Sequence, residues 1–153
     1  MTTPPPDPRG TPAPTPAPAS LFDAVGGRDG VRRIVERFYD LVEADAVLRP
    51  IFPADLASGR AKQVLFFEQW LGGEPRYSAA YGHPRLRRRH FPFVIDERAA
   101  GRWLRLFTQA LREHAVPEAA VAQILEGLGP LAHHMVNAGE DVPREPLGDA
   151  RLT

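Results

Sequence analysis

Apolar residues in this chain recur every three or four positions, in stretches bounded by glycine pairs and prolines, and nowhere alternate one by one. That spacing predicts helices and excludes a sheet. Ser20 should cap a short turn, LFDAV, that stops at Gly26-Gly27. Asp29 should cap the next helix, with Val31, Ile34, Val35, Phe38, Leu41 and Val42 on one face and an end near Asp45. Pro50 and Pro53 force a corner around Ile51 and Phe52. A second helix is expected from about Asp55 to Leu71, closed by Gly72-Gly73. Residues 72–85 are rich in Gly, Pro and Tyr and read as loop, and any helix in LRRRHF, between Pro84 and Pro92, must be brief. Asp96 caps a third helix, and Pro117 opens a fourth in which Pro130 should introduce a kink. The expected fold class is all-α, with four substantial helices and short pieces.

The chain has 153 residues, room for one domain. Eight of its 17 prolines lie in residues 4–18, a stretch with almost no apolar surface to offset the entropy of ordering. Residues 1–19 are therefore expected to be a disordered tail, residues 20–139 the domain, and residues 140–153 a second, shorter tail. The stretch at the start lacks the apolar centre of a secretory signal, and no run of 18 apolar residues exists, so a cytoplasmic protein with no membrane partner is expected. Nineteen basic and nineteen acidic residues balance to zero, which gives no electrostatic reason to expect nucleic acid. With no cysteine there is no disulfide, thiolate metal site or cysteine nucleophile. The basic set is 18 arginines and one lysine, Lys62.

Five histidines are present, at 83, 90, 114, 133 and 134, without the HExxH spacing of a zinc site. His90 is set apart: Phe91 and Phe93 flank it, and Arg85, Arg87, Arg88 and Arg89 precede it. An imidazole in apolar surroundings beside guanidinium groups suits a flat ligand with iron at its centre and carboxylates at its edge, which describes haem. On the residues alone, a half-buried loop histidine with solvated arginines remains the competing reading.

Between about Leu21 and Ala138 six motifs follow one another: FDAVGG, RFYDLV, LRPIFPADL, KQVLFFEQWLGG, RYSAAYGHPRLRRRHFPFVIDERAAGRWL and AHHMVN. In these the chain resembles a truncated haemoglobin of the second group, a globin with a two-over-two helical sandwich around haem. It implies haem b as cofactor, with His90 as the proximal iron ligand. Tyr39 would turn its hydroxyl to the dioxygen ligand, which carries partial negative charge, and so slow its release. Gln63 and Trp103 would complete the distal set, and Gly59 would leave the usual gate position open. Phe52 stands where some members carry tyrosine, so one distal hydroxyl would be missing. Phe38, Phe66, Phe67, Phe93 and Leu106 are expected packing or haem-edge contacts. Lys62, Arg89, Arg87 and Tyr77 are the candidates around the propionates.

The expected function is reversible binding of dioxygen at a pentacoordinate iron, with slow release and with carbon monoxide and nitric oxide sharing the site. The alternative is a haem-dependent redox enzyme, acting on peroxide or nitric oxide and supplied by an external reductase. A haem-free helical interaction module is a remote third. A monomer or a homodimer would serve each.

Overall fold

The computed structural model describes residues 20–147; the expected tail at residues 1–19 and the last residues, 148–153, lie outside the described part. Among the described residues there are seven α-helices, one short 3-10 turn and no β-strand. The helices are α1 (Leu21–Ala24), α2 (Gly27–Glu43), α3 (Ala57–Trp70), α4 (Arg76–Tyr81), α5 (Leu86–His90), α6 (Glu97–Glu113) and α7 (Glu118–His134). The long elements pack as two pairs, α2 with α3 and α6 with α7, joined where α2 crosses α6. This is the expected two-over-two sandwich.

Local chemistry explains most of the boundaries. The Ser20 hydroxyl accepts from the Asp23 amide at 3.2 Å and starts α1. The expectation that Asp29 caps α2 is overturned: the cap is Gly26, three residues earlier, with φ of 97°. That left-handed backbone is cheap only for glycine. Asp29 therefore lies in the first helical turn, where the helix dipole favours a carboxylate, and it pairs with Arg32 at 3.2 Å. Asp55 acts ahead of α3, accepting from the Ala57 amide at 2.9 Å. Asp96 caps α6 through the Ala99 amide at 2.8 Å. Helix α7 runs on through Pro130 to His134.

The stretch 72–85, expected as loop, contains α4. One and a half turns do not hold themselves together in water. Gln69 of α3 supplies the anchor: its Oε1 accepts from the Ser78 amide at 2.9 Å, and its Nε2 donates to the Ser78 hydroxyl at 2.8 Å. Sequence periodicity does not reveal such a tertiary clamp.

The corner after α2 is built on Asp45, which is nearly fully buried. Its Oδ1 accepts from the Val47 and Leu48 amides at 2.9 and 3.0 Å, and Arg102 of α6 donates to Oδ2 at 2.6 Å. Burial works against the charged carboxyl, but the Leu48 amide, Arg102 and the Val47 amide together outweigh it and hold the pKa below the ordinary value. Arg49 then closes the corner on the carbonyls of Pro53 and Ala54, both at 2.9 Å. The result sets Ile51 and Phe52 in place beneath α2.

The core lies between the helix pairs. Val31, Ile34, Val35, Phe38 and Val42 of α2 meet Leu106, Phe107, Ala110 and Leu111 of α6 and Val121, Ile124 and Leu128 of α7. Each large side chain buried this way contributes roughly 1.5–3 kcal/mol. On α2, five of the six residues that the periodicity predicts for the apolar face are buried, Leu41 being only partly so.

Candidate functional site

A cavity of about 330 Å³ opens between the two helix pairs. That is within the range of roughly 300–1,000 Å³ typical of small-molecule and cofactor sites. Its wall draws on every helix except α1, together with the corner and the segment after α5. Of the sequence-predicted residues, the structure brings Tyr39, Phe52, Gly59, Lys62, Gln63, Phe66, Phe67, Tyr77, Arg89, His90, Phe93 and Trp103 to this one wall.

His90 is the last residue of α5 and is partly buried. Its Nδ1 lies 2.6 Å from the Leu86 carbonyl oxygen, one turn back in the same helix. A carbonyl only accepts, so Nδ1 carries the hydrogen and Nε2 keeps its lone pair. Burial pushes the pKa of the imidazole down, partly opposed by the Leu86 hydrogen bond, so the ring is neutral at neutral pH. A neutral imidazole with a fixed tautomer and a backbone partner is the form that ligates a metal.

Tyr39, on α2, is 3% exposed. Burial raises its pKa well above the ordinary phenol value, against the pull of Arg60, so the hydroxyl stays a donor at any physiological pH. Its ring meets Phe52 edge-on at 5.8 Å, and the Arg60 guanidinium lies 5.4 Å from the ring centroid. Arg60 is itself held by the Glu36 carbonyl at 3.1 Å and by Asp40 at 3.0 Å. Gly59 lies directly against the phenol: a Cβ there would sit 2.9 Å from the Tyr39 hydroxyl oxygen. The glycine thus makes room for the tyrosine, a reason for its presence that the open-gate expectation did not contain.

Trp103 stacks flat on Phe107, with centroids 5.0 Å apart and planes 3° apart, and meets Phe38 edge-on at 5.1 Å. Its ring is fixed from behind while it faces the cavity. The Gln63 Oε1 is buried and has no hydrogen-bond partner among the described residues. A buried amide oxygen without a partner costs roughly 1–3 kcal/mol, so a polar group brought by a ligand would be accommodated there.

Three of the expected residues do not line this cavity, and for Phe38 and Leu106 the packing role is the one seen. Phe38 is 1% exposed and packs on the rings of Tyr39, Trp103 and Phe107, one layer behind the wall. Leu106 is also buried away from the cavity, because on α6 the wall is formed by Ala99, Ala100 and Trp103. Arg87 turns outward: it pairs with Glu140 and donates to the His134 carbonyl at 3.1 Å.

Sequence reasoning missed the rest of the wall: Leu48, Ile51 and Pro53 at the corner, Leu86, Ile95, Ala99 and Ala100, and Leu128, Leu131, Ala132 and Met135 along the end of α7. A helix face lining a cavity has the same apolar period as one packed in a core, so periodicity could not separate them. The one available signal was the small pair Ala99-Ala100, which leaves room where a core would place larger side chains. Asn137 lies three residues beyond the end of α7. It is 0% exposed and holds the His90 segment. Its Nδ2 donates to the carbonyls of His90 and Phe93 at 3.1 and 3.0 Å, and its Oδ1 accepts from the Ile95 amide at 3.1 Å.

The donor set fits haem. Among the described residues no group of three or more His, Cys, Asp or Glu side chains could hold a bare metal ion. A lone imidazole in an apolar wall suits a metal that arrives with its other ligands, as iron does in a porphyrin. Two helix pairs closed around such a cavity are the architecture of a globin.

A model of the bacterial-like globin family matches residues 20–137. The chain belongs to that family, as a group II truncated haemoglobin, and the family implies haem binding. It is 39% identical over 120 residues to the group 2 truncated hemoglobin YjbI of Bacillus subtilis, covering 78% of this chain and 89% of that protein. The crystal structure of the group II truncated hemoglobin from Bacillus anthracis superposes with a TM-score of 0.76 at 39% identity, covering 79% of this chain and 98% of that one. The truncated oxygen-avid haemoglobin from Bacillus subtilis gives a TM-score of 0.73 at 36% identity, covering 77% and 99%. Among the described residues no helix is long and apolar enough to cross a membrane.

Proposed function

We propose that this globin holds haem b through His90 and binds dioxygen reversibly, releasing it slowly. Carbon monoxide and nitric oxide are the other ligands of the same pocket. Bound haem would supply a pentacoordinate iron with one position open to a diatomic ligand. The chain's own part is to place hydrogen-bond donors there and to keep bulk water out. The observation that carries this reading is the buried Tyr39 hydroxyl, locked in its donor form, on the same cavity wall as the neutral His90 imidazole. The oxygen-avid relative from Bacillus subtilis supports the same direction. Trp103 has an indole N–H to add, and Gln63 an amide that both donates and accepts. Lys62 and Arg89 supply positive charge on the wall for the two propionates.

An absorption spectrum of the purified protein tests the first half of the proposal, which requires a Soret band. Stopped-flow release of dioxygen tests the second. Tyr39→Phe and Trp103→Phe each remove a donor to a ligand that draws negative charge on binding. Such bonds are worth about 1.5–3 kcal/mol, so the off-rate should rise roughly 10- to 100-fold in at least one of the two. Unchanged rates in both would remove these residues from the ligand site.

Gly59→Ala probes the contact between α3 and the phenol. The added methyl gains helix propensity but needs Tyr39 to give way, so thermal stability should change little. The displaced hydroxyl should nevertheless raise the off-rate several-fold. Kinetics identical to wild type would mean that Tyr39 does not act from the position described.

A further inference from the structure

The arginine run before His90 splits into two jobs. Arg89 is on the cavity wall, while Arg87 and Arg88 grip the chain that follows α7. Arg87 pairs with the Glu140 carboxylate, and Arg88 donates to the Glu145 carbonyl at 2.9 Å. Both guanidinium groups also lie near the Phe91 ring, at 5.1 and 5.6 Å from its centroid. Arg144 reaches back in the other direction. Its Nη1 donates to the Phe91 carbonyl at 2.8 Å and to Asn137 Oδ1 at 2.9 Å, and its Nη2 donates to the carbonyls of Asn137 and Glu140, both at 3.3 Å. Residues 140–147, expected as a tail, have no regular secondary structure, yet they are tied to α5 from both sides.

The site of attachment gives this its meaning. Helix α5 is five residues long, and its N-cap, Arg85, is in the left-handed region with φ of 46°. A helix this short has no rigidity of its own, so its position is decided by what grips it. Asn137 holds the His90 carbonyl, and Arg144 holds the very next carbonyl together with the Asn137 oxygen that also receives the Ile95 amide. One planar guanidinium thus closes a network around the backbone on which His90 is carried.

We propose that Arg144 is a positioning residue for His90, and that residues 140–145 form a strap that fixes the tilt of the imidazole and so the strength of its bond to the iron. The inference rests on His90 being the iron ligand, as proposed above. Partners that orient a metal-ligating histidine tune the metal as well as hold the fold. The strap would be a control on ligand affinity applied from the side of the haem that the gas does not touch.

The test compares full-length wild type, Arg144→Ala and Arg144→Lys, all loaded with haem. The resonance Raman band of the iron–histidine stretch in the ferrous, unliganded protein should shift and broaden in Arg144→Ala. It should return part of the way in Arg144→Lys, whose one nitrogen can stand in for Nη1 but not for Nη1 and Nη2 together. Exchange of the Ile95 amide hydrogen should rise about tenfold in Arg144→Ala, as one charged hydrogen bond is lost from its acceptor. A faster-exchanging Ile95 with an unmoved Raman band would mean that the strap holds the chain without steering His90, and the proposal would be overturned. An unmoved band with unchanged exchange would overturn it as well. Wild-type protein that takes up no haem would show no band in any variant, and would defeat the reading of the site together with the proposal built on it.

Discussion

His90→Gly is expected to abolish stable haem uptake. The wall carries one imidazole, and its Nε2 lone pair is the ligand that the fit to haem depends on. Changing residues that merely orient a metal ligand costs about 10- to 100-fold in metal affinity, so removing the ligand itself should cost at least the upper end of that range. The fold should survive, because the ring's one hydrogen bond given by the structure is to Leu86 within its own helix. Far-ultraviolet circular dichroism would confirm that the helices remain. Exogenous imidazole should enter the space left by the ring and restore a Soret band. A His90→Gly protein that binds haem with wild-type affinity and spectrum, in the absence of imidazole, would move the iron ligand to another residue.

The largest stability effect should come from Asn137→Ala. The side chain is fully buried, and all its polar atoms are engaged: two carbonyls receive from Nδ2, while the Ile95 amide and Arg144 both give to Oδ1. Truncation strands several of these groups inside the protein. Each unsatisfied group costs roughly 1–3 kcal/mol, although Arg144 can swing to solvent, so a loss of about 3 kcal/mol or more is expected. That corresponds to a fall in Tm of roughly 10 °C. Asn137→Asp should be nearly as damaging, because a carboxylate cannot donate to the carbonyls of His90 and Phe93. Thermal denaturation of the two variants checks both statements. A loss below 1 kcal/mol in Asn137→Ala would show that water or main-chain shifts replace the network.

These two residues mark what was legible in advance and what was not. His90 stood out because its setting was chemically odd: an imidazole between prolines, with aromatic and arginine neighbours. Tyr39 and Trp103 carried no such oddity, and only the resemblance to truncated haemoglobins separated them from ordinary core aromatics. Asn137 carried none at all. An asparagine after a helix is the usual signature of a helix end, and its four hydrogen bonds are to groups that lie far away in the chain, except for Arg144. The arginine run shows a third kind of limit. Residues two apart on a short helix face different ways, so Arg87 meets Glu140 and the His134 carbonyl while Arg89 lies on the cavity wall, even though they share a motif. Helix α4 was missed because its stability comes from Gln69, not from its own residues.

The spread of the cavity wall along the chain also sets an order of events. Its lining begins at Tyr39 and ends at Met135, and Asn137, just beyond, joins Arg87 in tying the His90 segment to the end of α7. During synthesis Tyr39, Gln63 and His90 emerge before α7, which completes the wall. No shorter N-terminal portion owns a complete wall, so the pocket can close only after the chain has been made through residue 137. The complete cavity wall is thus a property of the nearly full chain, not of any N-terminal part of it.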